Sequence, residues 1–439
     1  MKKILKLIIA LSCMPFFSGA VLADTPAEYD RYNFAQATDF ERLAFGFPQP
    51  IITIIPGYGD MTSNPPKYKP VVILAGGYDP TKDYIGSMGD SNEVGHIADV
   101  DPEGIDGRNP STTGDRIADK VGNAIYFVDA MTGALVARVR GTNTLPNGLN
   151  DSSFSNEKTS EDMKHSIAAT ITPVDSQGDG ITDRIYFVDV IGNIFRLDLI
   201  PQTTGGFSAN NWNLNMFASL GTDGGSVDRR FFHQVDVVRT KTPNGFNADA
   251  LLVGSGNIAL PKEGVAAGHN AFFMIYDQHI APSADLSIDT PITTADLDEV
   301  SGDSVADVST GWYLPLGNGE KVVSASTTVD GAAYFTTIVA QPETVGCQAP
   351  ASLPTSYIYG VNMHTAGNAY ARTVGDGSIE YDRRSEISGG RLAFQQIEPF
   401  VADGGEVSLI LPDKKETLHK DGEDRKLEGD SSYWRTIEQ

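Results

Sequence analysis

"DRIYFVDVIGNIFRLDL", residues 183–199, shares with "NAIYFVDAMTGALVARV", residues 123–139, the core IYFVD, then a glycine turn and a second apolar run. These runs are short, rich in Val, Ile, Phe and Tyr, and end in Asp, Gly or Asn, which predicts strands and not helices. A third copy, "SYIYGVNMHTAGNAYA" (356–371), follows the same plan, and "AFFMIYDQ" (271–278) is a weaker relative. Before three of the copies lies another strand with a buried composition: "VVILAGGYD" (71–79), "ALLVGSGN" (250–257) and "AAYFTTIVA" (332–340). Repeated strand–turn–strand units, each needing a neighbour to bury its faces, predict an all-β chain organised as a β-propeller.

A chain of 439 residues has room for two or three average domains, or for one propeller. Its first residues read as a secretory signal. Lys2, Lys3 and Lys6 flank a short apolar run interrupted by Pro15, and "VLA" (21–23) offers small residues before Asp24. Residues 1–23 are therefore expected to be a signal peptide and 24–439 the propeller domain. Cleavage removes three lysines and no acid, taking the net charge from −24 to −27, and it leaves Cys347 as the sole cysteine. An exported chain without an internal disulfide must hold itself by core packing, sheet pairing or metal. The strong negative charge argues against nucleic acid and anionic membranes as partners and favours divalent cations and basic surfaces. No segment after the leader approaches membrane-spanning length. Polar insertions at 81–119 and 341–356, and the charged stretch 412–430, are expected as exposed loops.

Immediately before the second IYFVD lies "DSQGDGITD", residues 175–183. A hard cation such as Ca²⁺ takes six to eight oxygens, and a short loop delivers them from positions 1, 3 and 5, a backbone carbonyl at 7 and a further ligand at 9. Asp175, Gln177, Asp179, the carbonyl of Ile181 and Asp183 occupy those positions, with Gly178 and Gly180 allowing a tight fold. The loop is not the helix–loop–helix type: position 12 is Tyr186 where a bidentate Glu is required, and a strand follows. With an amide at Gln177 the affinity is expected on the order of 10⁻⁵–10⁻³ M. The competing reading is a polar Asp/Gly turn feeding a strand. A second acidic cluster at 295–314, with Asp296, Asp298, Asp303 and Asp307, fits no ligand spacing and is expected to be a solvated loop.

Enzyme signatures are missing. There is no G-x-S-x-G elbow, no phosphate loop and no H-E-x-x-H. The seven histidines, among them His165 expected at a strand edge, never pair at ligand spacing, and Cys347 has no activating neighbour in the sequence. The glycines of "AGGYD" (75–79) and "VGSGN" (253–257) follow strands without a succeeding helix, so they are expected to permit close strand approach and not to hold phosphate. No catalytic residue and no small-molecule substrate are expected.

Taken in order, "PVVILAGGYDP" (70–80), "GNAIYFVDAMTGALV" (122–136), the stretch 174–199, "RRFF" (229–232), "LLVGSGN" (251–257), the stretch 311–340 and "YWRTI" (433–437) resemble the C-terminal β-propeller of PilY/PilC-type type IV pilus biogenesis factors and tip adhesins. The resemblance implies a modified seven-bladed propeller, quinoprotein-like in fold, with calcium held by Asp175, Gln177, Asp179, Ile181 and Asp183. It also implies a non-enzymatic role in pilus assembly, twitching motility and adhesion. The implied location is the periplasm, outer-membrane surface or pilus tip of a Gram-negative bacterium, with minor pilins or tip components as partners. Members of the family usually carry an N-terminal adhesive region, so a longer adhesin joins the expected partners. Two alternatives follow from the same residues: a periplasmic quinoprotein-like dehydrogenase, since "VDAMTGALV" (128–136) resembles strands of those propellers, and a scaffold in which calcium only staples a loop.

Overall fold

The structure is a computed structural model that describes residues 40–79, 119–339 and 354–424 apart from short stretches inside these spans, the longest being 388–397. The leader 1–23, the insertion 81–118, Cys347 and the terminal YWRTI lie outside the described residues. Two compact units are resolved: Met1–Asp228 with Ala281–Pro291, and Arg229–Ile280 with Ile292–Gln439.

In the first unit, β1 (Ile51–Asp60), β2 (Lys67–Ala75), β3 (Ala124–Asp129), β4 (Leu135–Gly141) and β5 (Glu157–Ser160) form a sheet in sequence order, antiparallel except for the parallel β4–β5 pair. Next come β6 (Thr172–Val174), β7 (Arg184–Val188), β8 (Asn193–Asp198) and β9 (Asn213–Ser219), antiparallel and again consecutive. Both IYFVD strands, β3 and β7, are buried at every position. This explains their unbroken apolar run: a strand covered on both faces has no solvent side on which to alternate. In β3, Ile125 and Phe127 join a core with Ile185, Phe187, Phe195, Leu197 and Trp212, while Ala124, Tyr126 and Val128 join a smaller cluster with Val72 and Leu74. Phe127 meets Trp212 at 4.6 Å between ring centroids, and each such buried side chain contributes roughly 1.5–3 kcal/mol.

The second unit holds β10 (Asp236–Lys241), β11 (Asn247–Gly254), β12 (Ala271–Asp277), the short β13 (Ile292–Thr293) and β14 (Asp298–Glu299), and β15 (Gly311–Pro315). One sheet runs β10-β11-β12-β15-β14, with β14 parallel to β15. After them come β16 (Glu320–Val322), β17 (Thr327–Val329), β18 (Ala332–Val339), β19 (Thr355–Asn362), β20 (Tyr370–Thr373), β21 (Ile379–Asp382) and β22 (Arg384–Ile387). Another sheet runs β16-β18-β19-β22, with β17 also on β18. Phe272 stacks on Phe335 at 3.8 Å, and Phe335 on Tyr359 at 4.7 Å, inside a core that includes Trp312. In the tail, β23 (Glu398–Val401), β24 (Val407–Ile410) and β25 (Lys415–Thr417) form a sheet, and β26 (His419–Lys420) pairs with β27 (Glu423–Asp424). The stretch expected as a loop at 412–430 thus carries short strands.

No α-helix occurs among the described residues, and no helix there is long and apolar enough to cross a membrane. The preceding strands named from sequence pair as expected: β2 with β3, β11 with β12, β18 with β19. The glycines after β2 and in β11 serve close approach, since a Cβ on Gly76 would strike the carbonyl of Gly122 and one on Gly254 the side chain of Val322. The third copy departs from its plan. Its downstream run, β20, pairs with β21, and β19 takes β22 as its neighbour. Arg384 of β22 bonds both Glu320 and the Tyr359 hydroxyl and lies 4.1 Å from the Tyr357 ring.

Candidate metal centre

The Asp that ends each repeated strand organises the turn after it. Asp129 accepts from the N–H groups of Met131 and Thr132, Asp189 from Ile191 and Asn193, and Asp277 from His279, while Asn362 accepts from His364 and Thr365. These side chains fold the backbone back on itself before the next strand. Burial works against the Asp129 carboxylate. Donation by Tyr58, Thr132 and Met131 outweighs it and brings the pKa down to about 2.

The candidate loop 175–183 joins β6 to β7, and its neck is closed by the Asp183 N–H donating to Val174 O at 3.0 Å. Asp175 Oδ1 accepts from the N–H groups of Gln177, Gly178 and Asp179 at 3.2, 2.7 and 3.2 Å, and its Oδ2 from Gly180 at 2.7 Å. Gly178 and Gly180 have φ of 75° and 84°, a region glycine enters without cost. Asp179 accepts from Ile181 N–H at 2.9 Å. Asp183 accepts from both the backbone N–H and the hydroxyl of Ser176. Gln177, Asp179 and Gly180 are exposed, Asp175 and Ile181 half-buried, Asp183 buried.

In this arrangement each carboxylate is satisfied by the loop's own donors. Among the described residues no three Asp, Glu, His or Cys side chains gather as a ligand group. The donor chemistry nevertheless suits a hard cation: five oxygens in nine residues, three of them carboxylates, with no nitrogen or sulfur ligand. Burial, then the charge of Asp175, pushes the Asp183 carboxyl above its ordinary pKa, against the bonds from Ser176 and the pull of Arg184. Arg184 Nε stands 4.0 Å from it. A divalent ion here would relieve that cost, and Asp175, Gln177, Asp179, the Ile181 carbonyl and Asp183 are the groups that would hold it.

Other sequence candidates have structural employment. Asp296 closes a capping box with Thr293, and Asp298 lies in β14, so part of the acidic cluster expected as a solvated loop is ordered. His165, expected at a strand edge, is buried. His233 Nε2 is buried without a hydrogen-bond partner, and burial alone takes its pKa down to about 4, which holds it neutral. His364 Nδ1 lies 2.6 Å from the Tyr276 hydroxyl. Sequence reading missed the ion pairs: Arg42 with Asp151 at 2.7 Å and Arg196 with Asp198 at 2.9 Å, each with a buried arginine, and the exposed Arg384 with the buried Glu320 at 2.9 Å. Only the Arg196–Asp198 pair, two residues apart on β8, left a local signal.

No protein-family model matches the chain, and no curated protein matches it in sequence. Among solved structures, the C-terminal domain of Pseudomonas aeruginosa PilY1 is similar over 86% of this chain and 73% of that one, at 15% identity and a TM-score of 0.52. A member of the DUF4221 family from Bacteroides vulgatus matches over 82% of this chain and 91% of that one, at 7% identity and a TM-score of 0.22. Synechocystis apocarotenoid oxygenase matches over 60% and 44%, at 8% identity and a TM-score of 0.20. The first of these similarities establishes a likeness of fold.

Proposed function

We propose that this chain is a non-enzymatic, calcium-binding protein of type IV pilus assembly, associated with the pilus tip and supporting pilus biogenesis, twitching motility and surface adhesion. The observation that carries this reading is an all-oxygen, three-carboxylate loop at the head of β7, in a fold shared over 86% of the chain with the PilY1 C-terminal domain. The ordered motifs that resemble PilY/PilC propellers support the same reading, including closure as a modified seven-bladed propeller. Export by residues 1–23 would deliver the chain to the periplasm, the outer-membrane surface or the pilus tip. Minor pilins or tip components, and a longer adhesin, are the partners it would meet there.

The chain's own residues divide the work at the loop. Asp175 gathers four backbone N–H groups and so shapes the first half. Asp183 sits at the head of β7 and ties the second half to Ser176. Gln177 and Asp179 lie exposed between them. Calcium, when bound, supplies two positive charges that offset the three carboxylates and join the two halves. In the gene's host, Asp179→Ala/Asp183→Ala is expected to abolish calcium binding and to disturb piliation or twitching. Normal pili and twitching from a variant that has lost calcium would leave the scaffold reading in place. Dye-linked alcohol oxidation after addition of pyrroloquinoline quinone would instead favour a dehydrogenase.

A further inference from the structure

The residue between the last two candidate ligands is tied to a different sheet. Thr182, 5% exposed, lies between Ile181 and Asp183. Its N–H donates to the carbonyl of Ile54 at 2.8 Å, and its hydroxyl lies 2.7 Å from that of Thr53. Both partners belong to β1, which no other strand covers on that side in its sheet.

Ile54 is a special position on β1. The ladder to β2 runs in register from Ile51↔Ile73 to Ile54↔Pro70, then shifts, and it resumes only at Gly59↔Tyr68. Four residues of β1 thus bulge opposite Lys69 alone, and bulges are where a strand bends and twists. The bulge is packed and not loose: Gly57 backs onto the carbonyl of Gly206 so closely that a Cβ would collide with it, and the Tyr58 hydroxyl donates to Asp129 at 2.6 Å. Beyond it, the outer half of the hairpin rests on Gly59–Asp60 and Lys67–Tyr68, with Asp60, Lys67 and Lys69 exposed.

We propose that loop 175–183 and the β1–β2 hairpin are one coupled unit, in which a cation that orders the loop also orders β1 through Thr182. The coupling rests on the calcium reading above. Its physical basis is that Thr182 cannot move independently of its neighbours: an ion that fixes the Ile181 carbonyl and the Asp183 carboxylate fixes the N–H and hydroxyl between them, and these hold β1 at the point where its pairing breaks. The exposed hairpin then reports the state of a loop with which it shares no sequence.

Hydrogen exchange on the mature full-length chain, with calcium chloride against magnesium chloride, tests this. Calcium is expected to slow exchange in peptides covering 175–183 and 51–60, each by about threefold or more, and to leave 247–254 unchanged. In Thr53→Val/Thr182→Val, which keeps side-chain volume and the Thr182 N–H, slowing at 175–183 should persist while that at 51–60 diminishes. Calcium that binds and slows 175–183 without changing 51–60 in the wild-type chain overturns the coupling and spares the calcium reading; full slowing at 51–60 in the double variant also overturns it. Calcium that does not bind the wild-type chain overturns both. If the double variant does not fold, the wild-type comparison alone decides.

Discussion

Two acid-headed, glycine-containing loops sit at opposite ends of β7, and they are built for different ends. The loop after the strand, Asp189–Asn193, has one carboxylate. It is buried, and its oxygens accept from the N–H groups of Ile191 and Asn193 and from the Asn193 amide at 2.8 Å. The turn's own N–H groups and the Asn193 amide hold the carboxylate. The loop before the strand, 175–183, uses the same backbone chemistry at Asp175 but adds Asp179 and a buried Asp183, two carboxylates more than the turn requires. Excess carboxylate, and not the Asx turn itself, distinguishes a candidate cation loop from a structural one.

The largest effect is expected from Asp189→Ala. It orphans buried donors and should cost about 2–3 kcal/mol in urea unfolding, with the same loss in calcium and in chelator. A calcium-dependent loss would mean that the closed turn also responds to the ion. Gln177→Asp should sharpen the contrast from the other side by tightening calcium binding about tenfold, or ~1.4 kcal/mol, since a fourth carboxylate joins the set. A calorimetric titration in which affinity falls would show that repulsion among the acids already dominates.

A pH-dependent effect is expected at the equivalent turn after β3. The folded-state pKa of Asp129 is about 2, below the ordinary carboxylate value of roughly 3.9. Its contribution to stability is therefore present above pH 4 and is lost as pH falls through 2. The stability gap between the wild-type chain and Asp129→Asn, followed by urea unfolding against pH, should close over that window. A gap that widens as acid is added would reverse the assignment.

What could be read from sequence was what local pattern encodes. The continuous burial of β3 and β7 is written in five successive apolar or aromatic residues in β3 and four in β7, and the strands before them are legible for the same reason. The glycine close approaches at Gly76 and Gly254 follow from their place at strand ends. The replacement of β20 by β22 beside β19 was illegible, because it turns on Arg384 reaching Glu320, 64 residues away. So was the Thr182–Ile54 tie, which spans more than a hundred residues and uses a threonine with nothing unusual around it. At the loop, spacing located the oxygens. How Asp175 distributes its bonds depended on which backbone N–H groups the glycine conformations turned inward.

Isothermal titration of the chelator-stripped chain tests directly whether loop 175–183 binds calcium. One site with a Kd on the order of 10⁻⁵–10⁻³ M is expected, lost in Asp179→Ala/Asp183→Ala and retained in Asp189→Asn. An unchanged isotherm in the double variant, or no binding by the wild-type chain up to about 10 mM calcium, would contradict it.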